Sequence, residues 1–211
     1  MEIVWYGHSC FRLRSREAVI VTDPFKSSIG YSMPKTTADI VTISHHHDGH
    51  DSMTEIGGDP KILDVPGEFE ISGALIVGVP TYHDNVKGSK YGRNVVYLME
   101  MEEVSICHLG DLGHALPSDQ VEELSKVDVL LVPVGGVTTF SVAAAAEIVG
   151  LLDPKVVIPM HYRTDKARPD LDPLDKFLKE IGVTEPSPVS RLSVTRSSLP
   201  HETQVVVLNY R

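Results

Sequence analysis

Ser44-His45-His46-His47-Asp48-Gly49-His50 follows the apolar run Asp39-Ile40-Val41-Thr42-Ile43 and gathers four of the chain's ten histidines. A short β-branched run bounded by polar residues reads as a strand. A knot of imidazoles at its end is poor core chemistry, because each ring carries nitrogens that need partners. It is good metal chemistry, since neutral imidazole is a preferred ligand of zinc and other first-row ions. Outward from this segment the arrangement recurs. His83 and Asp84 follow an apolar run at 74–82, Asp111 follows 104–109, His161 follows 156–160, and Asp23 ends a run at 18–22. Loops at strand ends are where α/β proteins place their chemistry. Taken jointly, these positions outweigh a separate structural explanation for each histidine.

The 211 residues suffice for one substantial core, and 42% hydrophobic content is that of a globular protein. No stretch approaches the roughly 18 apolar residues of a membrane span. The opening Met1-Glu2-Ile3-Val4-Trp5-Tyr6-Gly7 lacks the basic-then-apolar order of a signal peptide. Two cysteines, Cys10 and Cys107, are too few for a disulfide framework, so the expectation is a reduced, cytoplasmic protein. A net charge of −10 argues against a general nucleic-acid binder. The expected partner is a small-molecule substrate, with no membrane and with self-association left open.

Further short apolar runs at 2–6, 10–13, 39–44, 61–65, 94–100, 127–134 and 204–208 predict strands. Helical patterns are fewer and lie mostly in the second half. Pro117-Ser118-Asp119 opens 120–126, Ser141 caps 142–152, and 171–181 repeats its apolar residues at helical spacing. Strands first, then strands alternating with helices, predict sheets covered by helices on their outer faces. The polar, Gly-containing segment 84–92 reads as a mobile loop.

His45-X-His47-X-X-His50, then His83, then Asp111 after a glycine, then His161 after an apolar strand, resembles the metallo-β-lactamase superfamily. Gly7-His8-Ser9-Cys10-Phe11, Asp23-Pro24-Phe25 and His108-Leu109-Gly110-Asp111-Leu112-Gly113-His114 are most similar to its ascorbate-phosphate-lactonase-like branch of metal-dependent hydrolases. The resemblance spans about residues 1–163. It implies an α/β fold, a single four-layer αββα sandwich across 1–211 with a metal site along one edge. It further implies that His45, His47 and His83 hold a first divalent ion, and that Asp111 bridges to a second held by His50 and His161. Zinc is the favoured ion, with manganese the alternative. Asp111 and His50 would also take part in catalysis. Water between two such ions is acidified toward neutral pH and attacks an ester, lactone or phosphoester, here of a small anionic substrate.

The family motif is HxHxDH, and its carboxylate position is Gly49 here. The second ion therefore keeps fewer charges and is expected to bind more weakly. On this reading Gly49→Asp should tighten it. Two other readings follow from the same residue: a metal-binding or regulatory member of the fold with little turnover, or, against the acidic charge, a nuclease. Asp48 and Asp51 are substitutes by sequence distance, though loop carboxylates or helix caps describe them better. Asp23 is a candidate partner for a ligand's second ring nitrogen. His8 stands in a Gly-His-Ser turn, where a structural hydrogen bond and a substrate contact fit equally. His114 belongs either at the pocket rim or at a helix entry. Arg163, with Arg93, Tyr162 and Lys166, is a candidate anion contact. His46 points away from its neighbours, His108 and Cys107 pack in a strand, and His201 is exposed. Gly135-Gly136-Val137-Thr138-Thr139 reads as a tight turn in preference to a phosphate loop.

Overall fold

Along the first strand, β1 (Glu2–Gly7), Ile3 and Trp5 enter one apolar cluster while Val4 and Tyr6 enter another. This period of two sends alternate side chains to opposite faces of a sheet buried on both sides. The same division separates Phe11 from Cys10 in β2 (Cys10–Arg14), Ile20 from Val21 in β3 (Val19–Thr22) and Ile40 from Val41 in β5 (Ile40–Thr42). The computed structural model describes residues 1–166 and 170–211.

The remaining strands are β4 (Thr36–Thr37), β6 (Ile56–Gly57), β7 (Lys61–Leu63), β8 (Gly67–Ile71), β9 (Ala74–Tyr82), β10 (Arg93–Met101), β11 (Val104–His108), β12 (Val129–Pro133), β13 (Val156–Met160), β14 (Leu192–Ser193) and β15 (Gln204–Val205). They form a six-stranded sheet, β14-β1-β2-β3-β5-β7, a seven-stranded sheet, β15-β13-β12-β11-β10-β9-β8, and a small β4-β6 pair. In each large sheet antiparallel neighbours make up one half and parallel ones the other. One cluster runs through both, from Trp5, Phe11 and Ile20 to Ile76, Met99 and Ile106, so the sheets pack face to face. The buried Tyr97 hydroxyl donates to the Leu63 carbonyl at 2.9 Å, from one sheet to the other.

Helices α1 (Ser118–Leu124), α2 (Val142–Leu152) and α3 (Leu174–Glu180) pack together, with α2 against β12 of the second sheet. The first sheet's outer face is covered differently. Phe25, Tyr31, Met33 and Ala38, from the 3-10 turn Ser27–Ile29 and its flanking loops, pack there with Ile56 of the β4-β6 pair. Among the described residues, no helix is long and apolar enough to cross a membrane.

Most of the expected elements appear with small changes at their ends. α2 matches its predicted span, and the Ser141 side chain accepts from the Ala144 N–H as its cap. α3 starts three residues later than predicted, after Pro173, because the residue preceding a proline is driven from helical angles. β8 was not predicted. It is a half-exposed edge strand, and its glutamates interrupt the apolar signal.

Candidate metal centre

β1, β3 and β5 run in one direction, as do β9, β11, β12 and β13 in the other sheet. Their C-terminal ends release His8, Asp23, His45–His50, His83, Asp111 and His161 in turn. Six strands of the two large sheets, β1, β3, β5, β9, β11 and β13, thus deliver residues far apart in sequence to one edge of the sandwich.

His45, His47 and His83 each place a ring nitrogen within 4.8 Å of the others'. Such a group can close on one ion with bonds of about 2.0–2.1 Å. Asp111 lies beside it, and its Oδ2 is 3.3 Å from His83 Nε2, 3.5 Å from His50 Nε2 and 3.2 Å from His161 Nε2. One buried carboxylate oxygen therefore faces histidines from three separate segments. Burial opposes its charge, but His161 and His50 outweigh that and hold the Asp111 carboxyl well below its usual range.

The hydrogen bonds decide which ring nitrogens face inward. Asp23 is fully buried and accepts from Ser44 N at 2.7 Å and from the Ser44 hydroxyl at 2.6 Å. Having given its proton to Asp23, the Ser44 oxygen accepts from His45 Nδ1, 2.9 Å away. His45 thus carries its proton on Nδ1, and its Nε2 is left with a bare lone pair. That atom is buried without a hydrogen-bond partner, as are His83 Nδ1, His161 Nδ1 and Asp111 Oδ1. Burial keeps His45 neutral, pushing its pKa well below the usual imidazole value. Asp23 Oδ2 also takes the Nδ1 proton of His50 at 2.9 Å, turning His50 Nε2 toward Asp111. Burial works against a charge on His50, but Asp111 and Asp23 raise its pKa to about 10. Orphaned buried donors, neutral imidazole and a shared carboxylate are the donor set that divalent transition ions take.

Two buried residues position this set without a motif to announce them. Asn94 Oδ1 accepts from Asp111 N at 3.0 Å, while its amide nitrogen donates to Leu109 O and to the Thr81 hydroxyl. The only sequence signal was a polar residue at the head of an apolar strand. Asp84, next to His83, accepts from the backbone N–H groups of Val86, Gly88, Lys90 and Tyr91 at 2.7–2.9 Å. Burial opposes its charge, and the four donors prevail and lower its pKa to about 2. The segment read as a mobile loop is therefore gathered around one carboxylate, and it lays Tyr91 against the His83 ring, 5.3 Å between centroids.

The other candidates separate cleanly. Asp48 is exposed and bound to Lys26 at 2.6 Å; Asp51 faces His46 at 3.4 Å. Neither carboxylate reaches into the donor cluster. His114 uses both ring nitrogens on backbone, accepting from Tyr82 N and donating to Ala115 O. Arg163 and Lys166 are exposed, and Tyr162 is buried beside Trp5, with ring centroids 5.2 Å apart. Arg93 lines a neighbouring groove that has His47 and Tyr91 in common with the cavity over the metal centre. None of these four borders the cavity over the metal centre, whose wall includes His8, His47, His50, His83, Asp111 and His161, and at whose edge Asp48 stands with its carboxylate on Lys26. His108 packs in the core and donates through Nε2 to Ser9 O at 2.8 Å. Gly135 serves as a close-approach turn, since a Cβ there would run into the His161 carbonyl.

Two face-to-face sheets with a histidine cluster and a shared aspartate along one edge define a metallo-β-lactamase-type protein. The chain belongs to the β-lactamase superfamily domain family, whose model matches residues 2–161. A UPF0173 protein of Pyrococcus furiosus is 30% identical over 86% of this chain and 90% of its own. A UPF0173 metal-dependent hydrolase of Methanopyrus kandleri is 27% identical over 87% and 94%. The structure is similar to that of a Thermotoga maritima protein assigned to the Zn-dependent hydrolases of the metallo-β-lactamase superfamily. The TM-score is 0.84 at 41% identity, covering 100% of this chain and 99% of that one. An isothiocyanate hydrolase from Delia radicum gut bacteria shares the fold, with a TM-score of 0.70 at 12% identity over 92% and 100%. The class is thereby the metal-dependent hydrolases of the metallo-β-lactamase superfamily.

Proposed function

We propose that this protein hydrolyses an ester, lactone or phosphoester bond in a small anionic molecule, using one or two divalent ions, with zinc favoured. The observation that carries the reading is Asp111 Oδ2, within 3.5 Å of three histidine nitrogens drawn from three segments, amid buried donors that have no protein partner. His45, His47 and His83 would hold one ion, and Asp111, His50 and His161 the other. Bound there, the ions supply Lewis acidity and bring a water's pKa toward neutrality. The chain's own part is positional. Ser44 holds Nδ1 of His45 and Asp23 holds Nδ1 of His50, which turns both Nε2 atoms inward, where an ion would take the place of any proton on His50 Nε2. Tyr91 covers one side of His83 and narrows the approach.

Size and charge favour the substrate class. The cavity measures about 290 Å³, near the lower bound of small-ligand pockets, roughly 300 Å³. Two dications would outweigh the buried Asp111 and Asp23 carboxylates and leave the centre positive, which attracts anions inside an otherwise acidic molecule. Cysteine chemistry has no support: Cys10 and Cys107 are buried, and burial pushes both thiols up.

The test is metal analysis followed by a screen of lactones and phosphoesters with metal-loaded protein. One to two equivalents and turnover of an anionic member of the panel are expected. His83→Ala should remove most first-site occupancy and the turnover with it. Protein that takes up no transition metal, or a His83→Ala variant with undiminished occupancy, would overturn the reading.

A further inference from the structure

The missing carboxylate at position 49 leaves a gap in the donor set of the second ion, and the structure fills it from another strand. A Cβ on Gly49 would come 2.7 Å from His8 Nε2 and 3.0 Å from His8 Cδ2. The His8 imidazole therefore occupies the space in which any side chain at residue 49 would begin. It packs against both histidines of the second position, with ring centroids 4.9 Å from His50 and 4.2 Å from His161. One ring nitrogen of each of the three lies within 4.8 Å of the others.

The turn that presents His8 is held from several directions. Its backbone is in the left-handed region, at φ 53°, which a non-glycine residue adopts only where its surroundings enforce it. The His8 carbonyl accepts from Trp5 Nε1 at 3.0 Å and from His161 N at 3.1 Å. The next carbonyl, Ser9, accepts from His108 Nε2 at 2.8 Å and the Thr22 hydroxyl at 3.1 Å. His108 and Thr22 thus acquire a purpose: they anchor the turn whose side chain enters the centre. At 8% exposure the His8 ring lies inside the cavity wall and not at its rim.

We propose that His8 is a ligand of the second ion, standing in for the motif's carboxylate, and that Gly49 is the residue that makes room for it. The proposal rests on the metal-dependent reading above. It reverses the expectation for Gly49→Asp, because the new side chain would collide with His8 before supplying an oxygen. It also sharpens the substrate class. Exchanging an anionic ligand for neutral imidazole leaves the centre one charge more positive, which favours a more anionic substrate.

Titration of metal-free protein with Zn²⁺ or Co²⁺, by calorimetry and by Co²⁺ absorption, tests this directly. Wild type should bind two equivalents. Partners that merely orient a ligand are worth about 10–100-fold in affinity, so His8→Ala should weaken the second equivalent at least tenfold and leave the first unchanged. Gly49→Ala keeps every donor yet displaces the ring, and should show the same selective loss. It also carries the test if His8→Ala fails to fold. The double variant His8→Ala/Gly49→Asp should recover the second equivalent. An unchanged second equivalent in both single variants would overturn the proposal. So would a wild-type protein that binds one equivalent only, lost in His83→Ala, while the metal-dependent reading stands. Wild type that binds none removes both.

Discussion

Asp23 Oδ2 accepts hydrogen bonds from the Ser44 hydroxyl and from His50 Nδ1, and through Ser44 it also fixes the tautomer of His45. One buried oxygen thus orients two of the candidate ligands. Asp23→Asn keeps the shape but offers a mixed donor and acceptor in place of two equivalent oxygens. Outer partners of this kind typically contribute 10–100-fold, so metal affinity should fall by about that factor, measured by competition with a chromophoric chelator. Unchanged affinity would show that Ser44 and packing alone hold the rings. At this scale the sequence was informative wherever a ligand followed an apolar run. It was silent about what stands beside Gly49, because the His8 ring that fills that space comes from 41 positions earlier, in the turn between β1 and β2.

The elements turn these residues into a site by sharing a direction. β5, β9, β11 and β13 were each legible as apolar runs, and so were the polar residues at their ends. Loop behaviour was less legible. Residues 84–92 have the composition of a flexible connection, but Asp84 satisfies four backbone donors within it. A hydrogen bond to a charged group contributes about 1.5–3 kcal/mol, roughly tenfold or more in local opening. Asp84→Ala should therefore speed amide exchange at Val86, Gly88, Lys90 and Tyr91 at least about tenfold, with β9 and β10 unaffected. Equal exchange in variant and wild type would mean that the loop is ordered by other contacts. The edge strand β8 escaped sequence reading for a related reason: half-exposed at the sheet's margin, it needs no continuous apolar signal.

Across the whole molecule the metal centre joins the two sheets, with His8, Asp23 and His45–His50 on one and His83, Asp111 and His161 on the other. Ions held between them would stabilise the folded state alone. At about 100 times the dissociation constant, one bound ion contributes about 2.7 kcal/mol. Chelation should then lower the melting temperature by about 5–10 °C for a chain of this size, in a calorimetric scan with and without chelator. Coincident melting curves would argue against a metal spanning the sheets. By itself the sequence determined most of the strands and the polar residues at their ends, because apolar periodicity and strand-end polarity are local properties of the chain; the sandwich class and the order of the ligand segments came from the family resemblance those residues carry. Only the tertiary structure decided what stands beside Gly49, that Asp23 serves both Ser44 and His50, and that the carboxylates of Asp48 and Asp51 are engaged by Lys26 and His46. Most of those are contacts between segments distant in sequence, set by sheet order and register, which no local pattern encodes.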